Sequence, residues 1–171
     1  MRVEYINPFV EAAFNILTEV LKTEVKRGEL YLKSSSMPVL GITAIVGLAG
    51  DVEGRVLFDM AEKTALEVAS AMNGEKIDKN DELAKATITE LANMITAQAV
   101  TKLHEIGFQF DLTPPAIFTG SNMEVTDVAI EALIVPIQTT FGKIEINVAI
   151  RDPTEKKAWK NTRSCIRRLT L

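Results

Sequence analysis

The chain has 171 residues, 47% of them apolar and 25% charged, which suits one soluble domain of ordinary size with a real core. One cysteine, Cys165, excludes an intrachain disulfide, and one histidine, His104, leaves no zinc set. The net charge of −4 divides into +4 for residues 152–171 and −8 for the remaining 151, and so acidic a body argues against nucleic acid as the main partner.

In chain order, Asn7-Pro8 reads as a helix start, with Asn as N-cap and Pro at the first helical position. Phe9, Ala13, Ile16, Leu17, Val20 and Leu21 follow at helical spacing and predict an amphipathic helix over 8–24. From Val25 the period shortens, and Leu30 and Leu32 alternate with Glu29, Tyr31 and Lys33. After a break at Ser34–Pro38, strands are expected over Ile42–Leu48 and Arg55–Met60, joined by a turn at Gly50–Gly54. Glu4 and Glu11 interrupt what would be the apolar region of a signal peptide. The segment Ser34–Gly50 is too short and too punctuated to span a bilayer. A cytoplasmic protein without membrane insertion is the expectation.

A second helix is expected over 61–73, with Leu66, Val68, Ala69 and Met72 inward and Gly74 as its C-cap. A third begins near Asn80-Asp81-Glu82 and runs without Gly or Pro to Ile106, stopping at Gly107. At the usual rise it is about 39 Å long. Its buried side is expected to carry Leu83, Ile88, Leu91, Met94, Ile95, Ala99, Leu103 and Ile106. Thr113-Pro114-Pro115 is extended, since proline restricts the residue before it. Strands follow near 116–119, 127–138 and 143–150, the last two forming a hairpin through Thr139–Gly142. This order predicts an α+β two-layer domain over 1–151, a mostly antiparallel sheet with long helices packed on one face. Residues 152–171 form a basic extension, with Trp159, Thr162, Ile166 and Leu169 at helical spacing, read as a short helix or a solvated tail.

Within the third helix, Glu90 and Asn93 stand three residues apart, about 60° in azimuth, so both can address one target. Ala86 and Ala97 lie one turn to either side and leave bare ground for something bulky. A carboxamide accepts from and donates to one water at the same time. Orienting the attacking water is a major part of phosphoryl hydrolysis, where little covalent work falls to the protein. A carboxylate beside it suits a lysine on a protein substrate. An isolated E-x-x-N is nonetheless, more often than not, a solvated helix face.

Glu90-Leu91-Ala92-Asn93-Met94, followed by Asp111-Leu112-Thr113-Pro114-Pro115, resembles the CheX branch of the CheC/CheX/FliY family of chemotaxis response-regulator phosphatases. The opening helix and the Gly41–Gly54 segment fit the same resemblance, which covers roughly residues 1–150. It implies dephosphorylation of the aspartyl-phosphate of a CheY-like response regulator, with Asn93 positioning the hydrolytic water and Glu90 contacting the regulator's active-site lysine. It implies Mg2+ on the regulator, with no cofactor on this chain, and a homodimer built by pairing sheet elements. The family's fuller motif carries Asp or Ser where this chain has Ala86. CheC-type members repeat the motif in the first helix, whereas here Glu11 is followed at the third position by Phe14. Ala86 keeps open the alternative of a non-catalytic module that recognises or buffers a phosphorylated regulator.

Overall fold

The computed structural model describes residues 3–151, without the side chains of 3, 33–37 and 127–130. The basic extension and its expected helical face lie outside the described residues. The elements run α1 (Val3–Leu21), β1 (Val25–Arg27), β2 (Tyr31–Pro38), β3 (Ile42–Gly50), β4 (Glu53–Met60), α2 (Glu62–Asn73), α3 (Glu82–Glu105), β5 (Phe110–Leu112), β6 (Ala116–Thr119), β7 (Glu124–Thr139) and β8 (Gly142–Arg151). Among the described residues the strands form one antiparallel sheet in the order β1-β7-β8-β4-β3-β5, with β2 added to β7 and β6 to β3.

The period-2 rule sorts each strand into two faces. Ile42, Ala44, Val46 and Leu48 of β3, Val56, Phe58 and Met60 of β4, and Ile144, Ile146, Val148 and Ile150 of β8 meet the three helices in one core. Phe9, Ala13 and Leu17 of α1 close over it, as do Ile88, Leu91, Ile95 and Leu103 of α3. All three helices among the described residues lie on that face, so the two-layer α+β expectation holds. The opposite face is also buried and carries Leu57, Asp59, Glu145, Asn147 and Ala149.

Several expected boundaries move, each for a physical reason. The first helix starts at Val3 rather than 8, leaving Pro8 inside it. Burial of Ile6 and the ring of Tyr5, at about 1.5–3 kcal/mol per large apolar side chain, offsets the hydrogen bond that Pro8 cannot make. It ends at Leu21 rather than 24, where Lys22 turns left-handed at φ 50. The expected break at Ser34–Pro38 is strand, because that stretch pairs with Glu124–Asp127 of β7 after a register shift. The Gly50–Gly54 turn narrows to Asp51-Val52, since Glu53 and Gly54 already pair with Arg151 and Ile150. Gly54 cannot be replaced there: its φ is +150, and a Cβ would run into the carbonyl oxygen of Ala149.

Candidate active site

α3 is pinned at both ends. The Asp81 carboxylate caps its start by accepting from the Ala84 N–H at 3.0 Å. At the other end Gly107, at φ 96, donates its N–H to the His104 carbonyl, and Phe108 donates to Leu103. The helix lies between α1 on one flank and β3 and β6 beneath. Ala84, Ile88, Leu91, Ala92, Ile95, Ala99 and Leu103 fill its buried side. Leu83 and Ile106, expected inward, are 44% and 58% exposed. Leu83 is one position out of phase with the buried stripe, and Ile106 sits beyond the last helical residue. Met94 is half-buried.

The outward side carries a stripe of Leu83, Ala86, Glu90, Asn93 and Ala97, all exposed, at alternating spacings of three and four. Glu90 and Asn93 therefore share the open side of the helix. Neither side chain makes a hydrogen bond or ion pair with any described residue. By contrast, Thr89 and Thr101 turn their hydroxyls back to the Lys85 and Ala97 carbonyls, at 2.8 and 2.9 Å, and offer little to a partner. His104, too far along the helix to join the pair, is exposed and stands edge-on to Phe110 at 5.5 Å.

The Asp111–Pro115 segment has a structural role. Thr113 accepts from the Gly47 N–H through its hydroxyl at 2.8 Å and donates its own N–H to the Gly47 carbonyl at 3.0 Å. The two prolines then occupy the gap between β5 and β6, where β3 needs no donor from them. This edge of the sheet is thereby held beside α3.

Sequence reasoning missed a polar cluster on the sheet face away from the helices. Asp59 accepts from both the Leu40 N–H, at 3.0 and 3.1 Å, and the Thr43 hydroxyl, at 2.9 Å. Burial pushes its carboxyl above the usual range, against the pull of those hydrogen bonds. Across the ladder, Glu145 accepts from Lys143 at 2.6 Å and from the Tyr31 hydroxyl at 3.3 Å. The bond to Glu145 raises the Lys143 ammonium, and burial together with Glu145 raises the Tyr31 phenol. The available signal was that the charges of β4 and β8 all fall on one phase of the alternation: Glu53, Arg55 and Asp59, then Lys143, Glu145 and Arg151. The cluster is separated from Asn93 by the sheet itself. Among the described residues no group of three or more His, Cys, Asp or Glu side chains is placed to hold a metal ion, and no helix is long and apolar enough to cross a membrane.

A family model described as chemotaxis phosphatase CheX matches residues 42–138, more than half of the chain. The chain belongs to the CheX family. The matched region contains all of α3 and the Asp111–Pro115 segment. A CheX described as a CheY-P phosphatase, from Thermotoga maritima, is 29% identical over 126 residues, covering 73% of this chain and 81% of its own. The crystal structure of a CheX–CheY–BeF3–Mg2+ complex from Borrelia burgdorferi contains a chain 45% identical, with a TM-score of 0.78. The match covers 88% of this chain and 100% of that one. A CheC-like superfamily protein from a Shewanella species superposes with a TM-score of 0.81 at 27% identity, over 88% of this chain and 99% of its own.

Proposed function

We propose that this CheX-family chain dephosphorylates the aspartyl-phosphate of a CheY-like response regulator, with Asn93 and Glu90 as its working residues. The observation that carries the reading is their shared, outward and unengaged position on a rigid helix with small neighbours. Asn93 extends its carboxamide into the regulator's active site and holds one water in line with the phosphorus, its carbonyl accepting a hydrogen bond from the water and its NH2 donating one to the water's oxygen. Glu90 pairs with a lysine of the regulator and fixes the register of docking. The water's oxygen bonds to phosphorus as the bond to the aspartyl oxygen breaks. Inorganic phosphate and a free carboxylate result, with no covalent intermediate on this chain. Mg2+ belongs to the regulator in this reading, because the ground around Glu90 offers a single carboxylate.

The test is phosphate release from a phosphorylated CheY-like regulator with Mg2+, with and without this protein and its Asn93→Ala variant. Acceleration by the native protein alone supports the reading. Full activity of the variant overturns the role of Asn93. Tight, stoichiometric binding with an unchanged phosphate lifetime selects the buffering module instead.

A homodimer is the assembly proposed for the chain. Among the described residues β2 has one strand partner, β7, and it bears the exposed Tyr31 and Leu32, with the exposed Leu30 just before it. Beside it Ile6, Val10, Leu30, Leu32 and Leu133, with Asn7, Arg27 and Glu131 at the same site, line a groove of about 370 Å³. An apolar open edge of this kind suits a second copy of the same chain. Light scattering on Leu32→Glu tests it: a dimer in the native protein and a monomer in the variant are expected.

A further inference from the structure

We propose that Leu83 is the apolar anchor by which the α3 face grips the phosphorylated response regulator, setting affinity and choice of regulator rather than the rate of hydrolysis; this rests on the reading of Glu90 and Asn93 given above. Leu83 and Glu90 are seven residues apart, so they point within about 20° of each other. They are separated by about 10 Å along the axis. A partner whose phosphate reaches Asn93 and whose lysine reaches Glu90 is a folded domain, and one of about 100 residues has a radius of gyration near 13 Å. Centred over the pair, such a domain covers about 13 Å of the helix to either side, which takes in Leu83 and leaves out Ile106. Ala86 clears the first turn before Glu90, and Leu83, 44% exposed, meets the partner at the second.

The leucine is also held ready. The first turn of α3 is capped by Asp81, and the Leu83 carbonyl accepts the Thr87 hydroxyl at 2.8 Å. That hydroxyl accepts in turn from the Asn73 amide of α2, again at 2.8 Å. An apolar side chain on a turn tied to its neighbouring helix loses little backbone freedom on binding, so more of its burial appears as affinity. The stripe then has three separate duties: Asn93 places the water, Glu90 sets the register, and Leu83 supplies desolvated contact at the margin.

The experiment titrates a CheY-like regulator, loaded with beryllofluoride and Mg2+, against the native protein, Leu83→Ser, Leu83→Met and Ile106→Ser. It also records phosphate release against the concentration of phosphorylated regulator. Leu83→Ser should weaken binding and raise the half-saturating concentration about tenfold, with the maximal rate unchanged. Leu83→Met should restore binding to within about threefold, since its apolar volume is conserved. Ile106→Ser, just past the far end of α3 and equally apolar, should change neither quantity. Thermal melts check that the exposed substitutions leave the fold intact. Unchanged binding by Leu83→Ser, or a fall in maximal rate alone, overturns the proposal while the role of Asn93 stands. Weakened binding by Leu83→Ser without any acceleration of release by the native protein sustains the anchor and removes the phosphatase reading.

Discussion

α1 and α3 lie side by side, and each carries a glutamate followed at the third position by a residue on the same side of the helix. On α1 the pair is Glu11 and Phe14, and both are consumed internally. Glu11 takes the Lys102 ammonium of α3 at 2.6 Å, while Phe14 is half-buried against the core. On α3 the pair is Glu90 and Asn93, exposed and free of any described partner. Equal spacing thus gives a brace on one helix and an open site on the other. Spacing alone does not make a site; the side facing away from the neighbouring helix does.

The largest effect should come from α3. Asn93→Ala should lower regulator dephosphorylation on the order of 100-fold with binding nearly unchanged, because misplacing the water costs rate rather than affinity. Single-turnover phosphate release checks it. Glu90→Lys should weaken binding of a beryllofluoride-loaded regulator by about 100-fold, as like charges meet across the contact. A titration monitored by fluorescence anisotropy would reveal it.

On α1, Phe14→Asn in the Asn93→Ala background recreates the E-x-x-N spacing yet should restore no turnover, since Glu11 stays engaged with Lys102. Recovered phosphate release would break the comparison. Smallest of all, Glu11→Ala should cost less than about 1 kcal/mol in urea unfolding, because the Glu11–Lys102 pair is largely solvated. A loss well beyond that would make the brace more than a surface contact.

The Asp59 carboxyl supplies a prediction on the sheet's far face. Its pKa is raised on folding, so the folded state favours the protonated form. Its burial opposes folding once the group is ionised, and that cost disappears as pH falls below its folded pKa. Asp59→Asn removes that relief, so the stability of the native protein relative to the variant should rise as pH falls through the acid limb, read by urea titration at several pH values.

Much of this molecule is legible without coordinates, because local chemistry determines it. Asp81 and Gly107 punctuate α3 as their side-chain and backbone preferences require, and Gly74 does the same for α2. The alternation of β4 and β8 sorts their faces, and the spacing of Glu90 and Asn93 places both on one helical stripe. Tertiary structure decided the rest. Pro8 lies inside a helix because the core wanted Tyr5 and Ile6, and Ser34–Pro38 is strand because β7 offered it a partner. Leu83 faces outward because the layer beneath α3 selects Ala84 and Ile88 instead. Glu11 is spent and Glu90 is free for a reason no sequence window holds: one lies within reach of a lysine on the neighbouring helix, and the other faces open solvent.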